Sequence, residues 1–229
     1  MKAKEVYSEK QYDSFASEFK FAQEGFYGSK NNESRKILYS LLGTSLKGNK
    51  LLDVGCGFGK DTEYYKRLGA EVFGIDVSKK MIGLAEDSSK NVKFSAQNYA
   101  KTKFDSNYFD ILVSRYALQY APNLERVFKE MYRILKPGGL FIFLVSHPLL
   151  GYVAKKEKNY HKREIVDMPI FKGKITAKEP THTLSEYLSD FVLKNFNLIS
   201  QRESRVSEGK FAGHNVPDFI AFKFQKKKK

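Results

Sequence analysis

Three glycines fall at alternate positions in Leu51-Leu-Asp-Val-Gly-Cys-Gly-Phe-Gly59, directly after the apolar run Lys50 to Val54. Glycine has no Cβ, so such a loop turns sharply and brings its backbone close to a ligand. The spacing predicts a helix beginning near Lys60, whose unpaired N–H groups favour an anionic group. Asp76 stands 19 residues beyond Gly57, at the end of the next apolar run. A carboxylate there can accept both hydroxyls of a ribose diol.

Two ligand types share these requirements, a dinucleotide and S-adenosylmethionine (SAM). The dinucleotide fingerprint is G-x-G-x-x-G, and here the third glycine, Gly59, arrives one residue early. Asp53 precedes the loop, where it suits the ammonium of an amino acid end. The pattern favours SAM.

Further chemistry is expected beyond the fourth and fifth strands, because ligands of open α/β sheets sit at the carboxyl ends of strands. Arg115, Tyr116, Gln119 and Tyr120 follow the fourth strand and His147 follows the fifth. Histidine is the usual side chain for proton transfer near neutral pH, which makes His147 a candidate general base; the alternative is a loop histidine that bonds backbone ahead of Pro148. Tyr116 is a candidate to touch the acceptor, or else a wall of the pocket. Cys56 reads as a small loop residue whose backbone faces the ligand.

The elements that must hold these residues alternate. Strands are expected at Lys50 to Val54, Glu71 to Ile75, Val92 to Ser95, Phe109 to Ser114 and Leu140 to Val145. Helices are expected at Lys60 to Leu68, Ser78 to Glu86 with Ser78 as N-cap, and Asn123 to Leu135. That alternation predicts a parallel sheet with helices on both faces. Residues 1–48 read as helical, with Tyr12, Phe15 and Phe19 on one face. Residues 149–180 are lysine-rich without sustained period and read as an insertion or lid. Leu184 to Phe196 reads as one helix, and Leu198 to Glu203 and Phe219 to Phe224 as strands.

Four motifs carry a family resemblance. Leu51 to Gly59 is the first and Val72-Phe-Gly-Ile-Asp-Val-Ser the second. The third runs from Phe94-Ser-Ala-Gln-Asn-Tyr-Ala to Phe104-Asp-Ser-Asn-Tyr-Phe-Asp110. Tyr132-Arg-Ile-Leu-Lys-Pro-Gly-Gly-Leu140 is the fourth. From Leu51 to roughly Ser146 the chain resembles the class I SAM-dependent methyltransferases, notably the small-molecule group that includes ubiquinone- and biotin-pathway methylases.

The resemblance implies a Rossmann-like sheet of seven strands, mostly parallel, the last antiparallel and formed by Val216 to Phe224. It implies SAM held by Asp53, Gly55, Cys56, Gly57, Gly59, Asp76, Val77, Asn98, Tyr99 and Ser114. The family's adenine motif has an acid at Asn98 and a proline at Lys103; the Asn98 carbonyl can still meet the adenine amine, and Tyr99 can lie against the ring. Tyr12-Asp-Ser-Phe-Ala-Ser-Glu-Phe19 is similar to an N-terminal helix that closes over SAM, and equally to an ordinary helix on the sheet edge. With Tyr12 and Phe19, Arg115, Tyr116 and Gln119 are the candidate substrate-facing set. Thr181 to Tyr187 resembles a family stretch with a His-Arg pair, but the Arg is missing, so His182 is given no catalytic role.

Composition bounds the rest. The chain has 229 residues, 41% hydrophobic and 14% aromatic, enough for one domain with a sizeable core. No apolar run approaches the ~18–20 residues that span a bilayer, and the single Cys56 excludes an internal disulfide and a multi-cysteine metal site. A cytoplasmic enzyme is expected, without metal, its oligomeric state open. The charge of +14 raises an RNA methyltransferase as the alternative to a small-molecule enzyme, and a non-catalytic SAM-binding protein is a third class. No basic stretch interleaves with aromatics as in a nucleic-acid module. Lys226 to Lys229 reads as a frayed, solvated run.

Overall fold

The computed structural model describes residues 8–27, 33–205 and 213–228, so part of the expected N-terminal helical segment lies outside the described residues. The strands are β1 (Lys50–Val54), β2 (Glu71–Asp76), β3 (Lys93–Ala96), β4 (Phe109–Arg115), β5 (Leu135–Ser146), β6 (Ile165–Ile170), β7 (Ile175–Pro180), β8 (Phe196–Glu203) and β9 (Phe219–Lys226). Seven of them form one sheet in the order β3-β2-β1-β4-β5-β9-β8. The pairings among β1 to β5 are parallel, and β9 runs antiparallel to both β5 and β8. The expected mostly parallel seven-stranded sheet with an antiparallel last strand is what the chain forms.

The helices are α1 (Ser8–Ser14), α2 (Ala16–Tyr27), α3 (Glu33–Leu42), α4 (Thr62–Arg67), α5 (Lys79–Ser88), α6 (Leu124–Ile134), α7 (Pro148–Ala154), α8 (Leu184–Tyr187) and α9 (Asp190–Asn195). Side chains alternate across a strand, so Leu52, Val54, Phe141 and Phe143 point to one face, packed with Val127, Phe128 and Met131 of α6. Leu51, Ile142 and Leu144 point to the other, against Leu38, Leu41 and Leu42 of α3. The apolar stripe of α6 recurs at helical spacing, and Asn123 caps it by accepting from the Arg126 N–H at 3.0 Å. Ser78 caps α5 by accepting from the Met81 N–H at 3.1 Å, as its position predicts.

The structure departs from expectation in four places. Residues 149–180 are not patternless: α7 is followed by an antiparallel hairpin of β6 and β7, with Val166, Met168, Ile175, Ala177 and Glu179 buried at alternate positions. The period of two was hidden because Ile165 and Pro169 stand on the exposed side and an acid, Glu179, on the buried one. The helix expected from Leu184 to Phe196 is two, because the backbone between α8 and α9 leaves the helical region at Leu188 and is extended at Ser189. Strand β5 starts before Pro137 and carries a register shift, Phe109 facing Leu135 and then Ile111 facing Leu140. Lys226 is buried instead of frayed: its Nζ donates to the carbonyls of Tyr132 and Leu135 at 2.7 and 2.6 Å and to Asn107 Oδ1 at 2.9 Å.

A buried ionic cluster ties the helical layer to the sheet. Asp61, just before α4, accepts from Arg35 Nε of α3 at 2.6 Å, from Tyr39 OH at 2.6 Å and from Arg115 Nε at the end of β4 at 2.8 Å. Burial by itself raises the Asp61 pKa, but Arg115, Arg35 and the Tyr39 hydroxyl together hold it well below the usual carboxylate range. Because the folded-state value is depressed, the stabilisation is fully present above the ordinary carboxylate pKa and is lost as pH falls toward the depressed value. Asp61→Asn leaves two buried guanidiniums without their anion and is expected to cost about 3–5 kcal/mol. Thermal melting at pH 7 should show it, and the gap between wild type and variant should narrow on acidification.

Candidate functional site

The order of strands reverses between β1 and β4, and at such a switch point the loops leaving the carboxyl ends of the strands part to form a crevice. Here they enclose a cavity of about 710 Å³, within the roughly 300–1,000 Å³ usual for small-molecule sites. The loop after β1 forms one end. Gly55 and Cys56 both donate their N–H to the Ile75 carbonyl, at 2.8 and 2.9 Å. Gly57 N–H donates to Asp76 Oδ2 and Ser78 N–H to Asp76 Oδ1, each at 2.9 Å.

These bonds fix Asp76 at the cavity wall with a backbone donor on each oxygen, and the Val77 N–H adds to them. A carboxylate has about four acceptor positions, so each oxygen retains capacity for a ligand hydroxyl. Burial lifts the Asp76 pKa, and the Ser78 and Gly57 N–H bonds partly oppose that. Asp53 also lines the cavity and is 4% exposed. Among the described residues nothing donates a hydrogen bond to it, and burial, with repulsion from Asp61, pushes its pKa well above the usual range. Arg115 and Arg35 only partly offset this, and a buried acid with no hydrogen bond donor at this place fits a ligand ammonium.

The glycines have separate reasons. Gly55 has φ +74°, and a Cβ there would lie 2.2 Å from the Ala117 Cβ, so the protein itself forbids a side chain. Gly57 has φ +55°, and a Cβ would meet no protein atom within 4 Å; that space belongs to the cavity. Gly59 is a packing glycine off the cavity, its added Cβ 2.9 Å from the Phe94 ring.

Other sequence-predicted residues divide in the same way. Val77, Tyr99, Cys56, Arg115, Tyr116 and Gln119 line the cavity, as do Tyr12 and Phe19. Burial pushes the Cys56 thiol well up, which removes it as a nucleophile. Arg115 faces the cavity while bonded to Asp61. Ser114 lies behind the wall, its Oγ donating to the Val54 carbonyl at 2.8 Å and pinning β4 to β1. Asn98 is also outside the lining, and its Oδ1 accepts from the Ala100 N–H at 2.8 Å.

His147 lies off the cavity lining, at the start of α7. Its Nδ1 accepts from the Leu149 N–H at 3.2 Å, and its Nε2 is 3.3 Å from Glu203. This is the capping arrangement that Pro148 at the first helical position allows, and it leaves the ring no acceptor facing the cavity. The helix after the loop begins at Thr62, later than Lys60, and most loop N–H groups are bonded within the loop or to β2. The cations lining this part of the cavity are Lys60 and Arg115.

The far end joins Tyr12, Phe19 and Tyr120 to two residues that sequence reasoning missed, Glu179 and Phe171. Glu179 of β7 is 5% exposed and lines the cavity, and burial alone pushes its pKa up to about 8. Around that end stand Tyr120, in the 3₁₀ turn Leu118–Tyr120, and Phe171 at the hairpin tip. Tyr12 meets Tyr120 edge to face at 5.4 Å between centroids, and Phe19 meets Phe171 at 5.0 Å. Helix α1 spans both sides: Asp13 accepts from Ser78 Oγ and from the Lys80 N–H, and Gln11 exchanges hydrogen bonds with the Lys178 backbone of β7. Alternation of Ile175, Ala177 and Glu179 is the signal that would have exposed the inward-facing acid.

Among the described residues no group of three or more His, Cys, Asp or Glu is placed to hold a metal, and no helix is long and apolar enough to cross a membrane.

The chain is similar to known proteins in sequence and in fold. Residues 52–143 match a family model described as a methyltransferase domain. The chain is 36% identical over 157 residues to a demethylmenaquinone methyltransferase of Geobacillus, covering 63% of this chain and 65% of that protein. It is 31% identical over 137 residues to the sterol 4-C-methyltransferase of Caenorhabditis elegans, covering 56% and 41%. The chain thus spans less than two thirds of the curated relatives' lengths. In fold it is similar to a SAM-dependent methyltransferase from Mesorhizobium loti, with a TM-score of 0.69 at 20% identity, over 83% of this chain and 96% of that one.

The two glycines give a test free of ligand. Gly55→Ala combines a positive φ with a clash, and overpacking of that kind costs about 1–3 kcal/mol beyond the strain. Gly57→Ala should cost only the strain, about 1–2 kcal/mol. Denaturant unfolding of both variants should rank them in that order.

Proposed function

We propose that this chain is a class I SAM-dependent methyltransferase, a reading supported by its similarity to such enzymes in sequence and fold, and that it transfers the methyl group of SAM to a small-molecule acceptor held in the same cavity. The observation that carries this reading is the single cavity with two unlike ends, a glycine loop with Asp53 and Asp76 at one and an aromatic chamber with Glu179 at the other. SAM supplies a methyl group already activated by its sulfonium. Asp76 accepts the ribose hydroxyls, Asp53 the ammonium, and Lys60 and Arg115 stand toward the carboxylate. Tyr99 walls the adenine side.

Transfer of an activated methyl group needs alignment above all. Helices α1 and α2 and the β6–β7 hairpin supply it as a cover that orients the acceptor and excludes water. Tyr116, at φ +53° immediately after β4, is held at the cavity wall by its turn. The lining contains five carboxylates, Asp53, Asp61, Asp76, Glu179 and Asp218, against Lys60, Arg115 and Lys172. A chain of +14 that surrounds its cavity with acids keeps its basic charge away from the chemistry, which favours a small molecule over a polyphosphate as acceptor.

Isothermal titration should give one site for SAM and for its demethylated product, and none for NAD; the reverse preference would overturn the reading. Asp76→Asn and Gly57→Ala should each weaken SAM about tenfold or more, the first by removing charged hydrogen bonds and the second by filling the ligand's space. Binding a ligand ammonium favours ionised Asp53, whose pKa is raised in the free protein. Affinity for SAM should therefore rise with pH, with a proton released on binding, and titrations in two buffers of different ionisation enthalpy would measure it.

A further inference from the structure

Glu179 is a buried carboxylate at the cavity wall. Among the described residues no hydrogen bond donor or cation is paired with it, although it is 5% exposed and lines the cavity. The ionisable groups that face it are the phenols of Tyr12 from α1, Tyr120 from the 3₁₀ turn and Tyr187 from α8, all buried and raised, so all uncharged. A buried acid left without compensation is costly, and the hairpin would be more stable with an apolar residue there. The position makes sense when a ligand completes it.

The surroundings say which ligand. Tyr12, Phe19, Tyr120 and Phe171 present a wall of aromatic rings, and Leu150, Met168 and Ile170 add apolar surface. Aromatic faces attract a cation, the more so when it is desolvated, and an ammonium would also pair with the Glu179 carboxylate. Burial keeps the Glu179 carboxyl largely protonated near neutral pH, and a hydroxyl or an acidic acceptor would leave it so, whereas an ammonium gains a charge pair by favouring its ionised form.

We propose that the acceptor is an apolar primary or secondary amine, and that Glu179 holds its nitrogen and takes the proton which the nitrogen must lose before it can attack. This rests on the methyl-transfer reading of the same cavity. Pairing with the ammonium first releases the Glu179 proton to water. The ammonium N–H bond then breaks, and its hydrogen passes to the Glu179 carboxylate as a proton. The electron pair stays on nitrogen as the lone pair that would form the C–N bond as the methyl C–S bond breaks and S-adenosylhomocysteine leaves with that bond's electron pair. The protonated Glu179 returns its proton to water when the site opens. Burial suits the role, since a carboxylate raised toward neutrality is a better match for an amine than an ordinary one.

The test measures binding to the full chain saturated with S-adenosylhomocysteine, titrated with hexylamine, octylamine and 2-phenylethylamine and with the alcohols of the same carbon skeletons. Wild type should bind at least one amine at least tenfold more tightly than its alcohol. Glu179→Gln keeps the shape and loses the charge; it should abolish that preference while holding S-adenosylhomocysteine within twofold, and Glu179→Asp should restore part of it. Alcohols bound as tightly as amines by wild type, no binding of any amine, or an amine preference unchanged in Glu179→Gln would each overturn the proposal. Failure of S-adenosylhomocysteine to bind at all would instead bring down the methyl-transfer reading on which it rests.

Discussion

The chain must leave the sheet at the carboxyl end of β1 and turn into a helix in the narrow space between β2 and β4. That constraint organises the rest. With a Cβ at Gly55 only 2.2 Å from that of Ala117, the strand end and the turn after β4 approach as closely as backbone allows. The N–H groups of Gly55 and Cys56 then fall on the Ile75 carbonyl, and that of Gly57 on Asp76. One close approach thus fixes the loop to β2 and orients the acid through which a ribose would be recognised. Asp61, Arg35 and Arg115 close the other side of the turn, so the loop is clamped between two strands and a helix.

Charge in the cavity follows a consistent logic. Asp61 has its cations within the protein, and its carboxylate is held ionised. Asp76 has backbone donors, which moderate the effect of burial without reversing it. Among the described residues Asp53 feels Arg115 and Arg35 without a hydrogen bond to either, Glu179 has neither cation nor donor, and burial raises both. The groups whose polarity the fold satisfies position the site, and those it leaves unsatisfied face the volume a ligand would fill. The same distinction separates His147, whose ring caps α7, from Glu179, whose carboxyl caps nothing.

The cover is made of elements that are weak alone. Helix α1 has seven residues, too short to persist in water without packing, and a two-stranded hairpin is marginal by itself. They hold each other through Gln11 on β7, Asp13 on α5 and the ring contacts of Phe19 with Phe171. Each of these contacts is small and polar or edge-on, in contrast to the continuous apolar layers of the sheet. An assembly of that kind can open without disturbing the core.

The sequence by itself determined the sheet and the loop end of the cavity, because both are written in local pattern. Buried runs such as Leu140 to Val145, the N-caps Ser78 and Asn123, and the glycines after β1 depend on neighbours within a few residues, and strand alternation with helices leaves few topologies. The carboxylate at the end of β2 was legible for the same reason. Only the tertiary structure decided which candidates face the cavity. His147 and Tyr116 each follow a strand, yet one is turned into a helix cap and the other onto the cavity wall, since rotation about a few backbone angles beyond a strand carries no sequence period. Glu179 could not be assigned to the site from its own segment. It reaches the cavity only because β7 pairs with β6 and packs beneath α1, contacts that span up to 167 residues of chain.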